Sequence, residues 1–87
     1  MIEGEIKNGY KFRITDEALD DWELLEDLSK ADEGNIGALI SAVKRLLGEK
    51  GFKDLKAVCR DGQRVSSAEM TAAICEIFEA VKEIKNS

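Results

Sequence analysis

Apolar and charged residues alternate over the first stretch of the chain. Ile2 and Ile6 bracket Glu3 and Glu5, and Tyr10, Phe12 and Ile14 are interleaved with Lys11 and Arg13. A period of two places one set of side chains on one face of a strand. Asn8-Gly9 lies between the two runs. Asn-Gly there is the strongest short-range hairpin signal, because a type I′ turn needs φ > 0 at both central residues. Residues 1–14 are therefore expected to form a β-hairpin with one apolar face. A lone hairpin is marginal in water, so that face must lie on the rest of the chain. Its edge offers unpaired backbone groups that a partner strand can use.

From Thr15 to Asp32 the period becomes helical. Ala18, Leu19, Trp22, Leu25 and Leu28 form one stripe, with Trp22, the single tryptophan, as its largest anchor. Thr15 suits the N-cap, and Asp16 and Glu17 suit the positive helix end. This first helix is expected to be the element on which the others pack. Asp32-Glu33-Gly34-Asn35 reads as a turn with Gly34 available for a left-handed residue. A second helix is expected over Ile36–Leu47, with Ile36, Leu39, Ile40, Val43, Leu46 and Leu47 on one face, and Gly48 stops it. A third runs from Lys50 to Arg60 with Phe52, Leu55 and Val58 inward. Asp61-Gly62 breaks the chain, and Ser66 with Glu69 has the capping-box spacing that opens a last, long helix over Ser67–Lys85. The expectation is a single α+β domain, mostly α, over residues 1–87: an N-terminal β-hairpin packed on a small bundle of about four helices. Trp22, Leu25, Ile40, Val43, Ile74, Ile77 and Phe78 are expected to form its core.

Composition agrees with a folded domain. The 87 residues are 44% apolar and 36% charged, enough for one modest core. No apolar run reaches the roughly 18 residues of a membrane span, and MIEGEIKNGY lacks the apolar segment of a secretory signal. Cys59 and Cys75 fall in different expected helices and read as reduced, buried thiols of a cytosolic protein.

The net charge of −5 is unevenly placed. Residues 1–43 carry four bases against eleven acids, net −7; residues 44–87 carry nine bases against seven acids, net +2. Nucleic acid is not the expected partner, because phosphate binding needs a concentrated basic surface. The uneven charge suits pairing within the chain or between copies. The carboxylates of the first helix, Asp20, Asp21, Glu23, Glu26 and Asp27, make either a solvated face or a negative surface presented to a partner.

Catalytic signatures fail one by one. The chain has no His, the commonest general base and metal ligand. Two cysteines alone do not build a zinc site, and no glycine-rich phosphate loop is present. Asp16 to Asp27 is acidic enough for a calcium loop, but its third position is Ala18 and its sixth is Asp21 instead of Gly. Asp27-Leu28-Ser29 has the wrong order for a phosphopantetheine site. Paired carboxylates such as Asp20 and Glu23 lack a cleft. No enzyme activity, cofactor or metal is expected.

A resemblance carries the reading further. Tyr10-Lys-Phe-Arg-Ile14, then Glu17-Ala-Leu-Asp-Asp-Trp-Glu-Leu-Leu-Glu26, then Leu46-Leu-Gly48, then Cys59-Arg-Asp-Gly-Gln-Arg-Val65 resembles, in order, a family of tail assembly chaperones encoded by tailed phages and prophages of Gram-positive bacteria. The string at residues 18–26 carries most of the likeness. Where family members often have a longer, proline-containing linker before the second helix, this chain has only residues 32–37. The resemblance implies a non-enzymatic protein of the bacterial host cytoplasm. Such a protein binds the long, helical tape measure protein during tail morphogenesis, and tends to self-associate. The alternative is a small acidic regulatory module, an antirepressor or nucleic-acid mimic, that occupies a basic protein partner.

Besides the hairpin edge, two surfaces are candidates for the contact. The last helix is long, and its C-terminal end at Phe78, Val81 and Ile84 has nothing after it to shield it. The hairpin is the competing cover, through Tyr10, Phe12 and Ile14. The second candidate is the acidic face at Asp20, Asp21 and Glu23.

Overall fold

The computed structural model describes the backbone of residues 1–86 and the side-chain surroundings of residues 1–82. The elements run β1 (Ile2–Glu5), β2 (Lys11–Ile14), α1 (Asp16–Leu19), α2 (Trp22–Asp32), α3 (Ile36–Val58), β3 (Arg60–Asp61), β4 (Arg64–Val65) and α4 (Ser67–Asn86). This is the expected α+β fold: a hairpin on about four helices, α3 being two helical arms joined at a bend.

β1 and β2 pair antiparallel with Ile2 opposite Ile14 and Gly4 opposite Phe12. The turn differs from the type I′ expected. Gly9 N–H donates to the Ile6 carbonyl, Ile6 N–H donates to the Tyr10 carbonyl, and only Gly9 has a positive φ, 91°. That is a three-residue loop ending in a glycine bulge, which Asn-Gly also satisfies. Asn8 caps it by accepting from Tyr10 N–H at 2.9 Å. The register keeps Ile2, Ile6, Tyr10, Phe12 and Ile14 on one buried face. Gly4 is needed on that face, since a Cβ there would meet the Phe12 ring at 2.7 Å.

The expected first helix is two helices. Thr15 caps α1 by accepting from Ala18 N–H, and Asp20 ends it with φ −93° and ψ 58°. Asp21 then caps α2, accepting from Glu23 N–H at 2.9 Å. Restarting the helix rotates the stripe: Leu24 is buried, Leu28 is half-buried, and Trp22 (73% exposed) and Leu25 (45%) face outward. The expectation that Trp22 and Leu25 anchor the core is thus wrong. At the other end, Asn35 N–H donates to the Lys30 carbonyl and Gly34 N–H to Ala31, a Schellman motif with Gly34 at φ 97°. Asn35 at once caps α3, accepting from Ala38 N–H. One residue therefore ends α2 and starts α3, which forces a tight antiparallel pair.

α3 keeps the break expected at Gly48, whose φ of 77° and ψ of 170° are non-helical. The bend turns Phe52 and Leu55 into the core, where Leu55 is fully buried. Lys44 and Lys56, from the two arms, close over the Phe52 ring with ammonium groups 5.4 and 5.2 Å from its centre. Ile36, Ile40 and Val58 are exposed, not inward. Ile36 and Ile40 sit on the flank of α3 that no neighbour covers among the described residues, and Val58 is at the helix end. Asp61-Gly62 does more than break the chain: β3 and β4 form a second, minimal hairpin with Gly62 at φ 69°. Ser66 caps α4 by accepting from Glu69 N–H, while its own N–H goes to the Cys59 carbonyl, so only half of the capping box forms.

Ile14, Val43, Leu55, Cys59 and Ile77 are the largest of the fully buried side chains at the centre. Val43, Ile74 and Ile77 are core as expected. Ile14, Leu55 and Cys59 bring the hairpin and the second arm of α3 to it.

Candidate interaction groove

α2, the first arm of α3 and the distal half of α4 enclose an open groove of about 250 Å³. Leu39 and Leu46 of α3 line it, with Leu24 and Leu28 of α2 on one bank and Phe78 and Val81 of α4 on the other. Asp32 and Lys82 stand at its rim. Phe78 and Val81 are half-buried, so the expected apolar end of the last helix is a groove wall instead of a bare strip. Ile84, the third residue of that expectation, lies outside the described side chains. A pocket that engulfs a small ligand usually measures roughly 300–1,000 Å³. This groove is smaller and open, and it suits a row of apolar side chains from another protein segment better than a metabolite.

The groove is open because the hairpin lies elsewhere. Gly4, Ile6 and Phe12 border Cys75, Glu76 and Ala80 around a second, shallower concavity on another side of α4. Lys7 N–H reaches the Glu76 carboxylate at 3.3 Å. Tyr10 donates from its hydroxyl to the Gly51 carbonyl at 2.9 Å. The hairpin is thus held by α4 and by the second arm of α3, and it does not cover Phe78 and Val81.

The acidic face is partly spent inside the fold. Arg45 of α3 reaches Asp27 through Nε at 3.1 Å, Glu23 through Nη2 at 3.3 Å and Asp21 through Nη1 at 3.5 Å. Ser41 donates to the same Asp27 oxygen at 2.7 Å. The Ser41 hydroxyl, and then the Arg45 guanidinium, hold the Asp27 carboxyl below the usual carboxylate range. Of the three acids expected to meet a partner, Asp21 and Glu23 therefore anchor α2 to α3. Asp20 is exposed, and among the described residues no base pairs with it.

The chemistry of nucleophiles is muted. Cys59 is buried, and burial followed by the nearby Glu69 charge pushes its thiol up, away from the reactive thiolate. Cys75 is exposed, contrary to the expectation that both thiols are buried, because it lies on the side of α4 at the open concavity. Among the described residues no group of three or more His, Cys, Asp or Glu is placed to hold a metal ion, and no helix is long and apolar enough to cross a membrane.

Sequence reasoning found the α4 wall through its 3.6-residue period. On α2 it found Leu28 but missed Leu24, which lies off the stripe drawn for an unbroken helix. Asp21, two residues ahead of a free helix N–H, was the available signal for the restart. The chain matches no family model, no curated protein and no solved structure.

Proposed function

We propose that this chain is a non-enzymatic tail assembly chaperone that holds a helical segment of the phage tape measure protein in the groove between α2 and α4. The observation that carries the reading is the groove itself: an open apolar trough walled by Leu24, Leu28, Phe78 and Val81. An amphipathic helix offers its partner a row of apolar side chains at three- and four-residue spacing, and a trough between two helices receives such a row. The ordered sequence resemblance over residues 10–65 supplies the partner. The net charge of −5 keeps the chaperone itself soluble. Assembly of this kind takes place in the bacterial host cytoplasm.

The alternative, an acidic mimic that occupies a basic DNA-binding partner, is the weaker reading. Asp21, Glu23 and Asp27 are committed to Arg45, which leaves that face less negative than the sequence suggests. Co-expression with a tape measure fragment is the test. The wild-type chain is expected to keep the fragment soluble, and Val81→Glu, checked for native circular dichroism, to lose that effect. A folded Val81→Glu variant that still solubilises the fragment rejects the groove as the site.

A further inference from the structure

The row Leu28, Leu25, Trp22 leads out of the groove. Three residues along an α-helix of 3.6 per turn fall about 60° short of a full turn, so each step moves the row sideways around α2. Leu28 lines the groove. Leu25 stands beyond it, 45% exposed, and Trp22 stands furthest out, 73% exposed. A tryptophan bared to this degree, where the described residues bury fifteen other side chains in one core, is placed for contact, not for folding.

Charge identifies what the row meets. Asp20, which ends α1 two residues before Trp22, and Glu26, one turn after it on α2, are exposed, and Asp32 stands where the row enters the groove. Among the described residues none of the three pairs with a base. A second copy is disfavoured here: a two-fold contact through this row would set the same carboxylates against each other. A helix with basic residues flanking an apolar seam meets the row without that repulsion.

We infer that Trp22 and Leu25 extend the groove into a single docking track for a cationic amphipathic helix of a partner protein, with Asp20, Glu26 and Asp32 as its acidic bank. The inference rests on the groove being a binding site, and it adds the partner's charge and the half of the contact outside the groove. The track runs obliquely across α2, so the bound helix crosses α2 instead of lying parallel to it.

The test uses an 18-residue helical peptide of Leu and Lys, free of Trp, with Leu on one face and Lys on both flanks. A second peptide carries Glu in place of Lys. Trp22 is the only tryptophan, so its emission reports the outer half of the track directly. The expected result is a blue shift of that emission with the Lys peptide and none with the Glu peptide. By anisotropy of labelled peptide, Trp22→Ser with Leu25→Ser is expected to weaken binding at least tenfold. Asp20→Asn with Glu26→Gln and Asp32→Asn is expected to flatten the salt dependence. Binding that is lost in Val81→Glu but leaves Trp22 emission unmoved keeps the groove and overturns the extension. Binding indifferent to every one of these variants overturns both. Emission that shifts with protein concentration alone means that a second copy covers the row, and this also overturns the inference.

Discussion

The Tyr10 hydroxyl donates a 2.9 Å hydrogen bond to the Gly51 carbonyl, fastening the loop end of the N-terminal hairpin to the second arm of α3. Burial, and then the nearby Asp54 charge, push the Tyr10 phenol above its ordinary value. The folded state thus disfavours the phenolate. Its contribution is fully present below the unfolded pKa of about 10 and is lost as pH rises through the higher folded value. Stability is expected to fall across that alkaline window. Tyr10→Phe is expected to cost about 0.5–1.5 kcal/mol at neutral pH and to lessen the alkaline decline. Urea titrations at pH 7, 9 and 10.5 measure both, and the single tyrosine makes its ultraviolet ionisation a clean assignment.

Gly4 faces the Phe12 ring across the hairpin, with no room for a Cβ. Phe12 is buried and has little freedom to retreat. Gly4→Val is expected to destabilise by about 1–3 kcal/mol through overpacking. Phe12→Leu in the same chain is expected to recover part of that loss. Chemical denaturation of the two single variants and the double variant gives the coupling, and strict additivity would contradict the contact.

Asp27, paired with Arg45 and Ser41, ties stability to acid pH. Its folded pKa is depressed, so its contribution is present above the unfolded value near 3.9 and is lost as pH falls through the folded one. The acid limb of a melting-temperature profile between pH 5 and pH 2 is therefore expected to be shallower in Asp27→Asn than in the wild type. Ser41→Ala is expected to act in the same direction, since the Ser41 hydroxyl is the main cause of the shift. An unchanged acid limb in both variants would contradict this assignment.

Trp22 and Leu24 are two residues apart and opposite in role. Trp22→Ala is expected to change stability by no more than about 0.5 kcal/mol, as for a surface site. Leu24→Ala is expected to cost about 2–5 kcal/mol, because Leu24 is buried. Equal costs in urea denaturation would mean that the tryptophan is not on the surface.

The contrast between those two side chains also marks where sequence reasoning stopped. The hairpin was legible because alternation over Ile2–Ile14 leaves one face apolar whatever the turn. The turn type was not, because Asn-Gly fits both the two-residue loop and the three-residue bulged loop, and the pairing of the whole register decides between them. Gly48 announced the bend in α3, since no other residue type adopts φ 77° so readily. The restart at Asp20-Asp21 stayed hidden. Ala18, Leu19, Trp22, Leu25 and Leu28 fit one continuous helix well, and two acids at that point look like ordinary surface. Yet that two-residue break rotates Leu24 inward and Trp22 outward, and so sets one wall of the groove and the row beyond it. The Arg45 cluster was illegible for a different reason: its partners lie between 18 and 24 residues away in sequence and meet only when α2 folds back on α3.

The seat of the hairpin against α4 has a consequence for synthesis. Phe12 and Ile6 leave the ribosome well before Ala80 of α4, which borders the same concavity. At about 5–20 residues per second the hairpin waits roughly 3–14 s for the helix that shelters it. A chain released early carries an apolar β-face with no cover. Elongation through α4, not the folding speed of the hairpin itself, then sets when that face is covered.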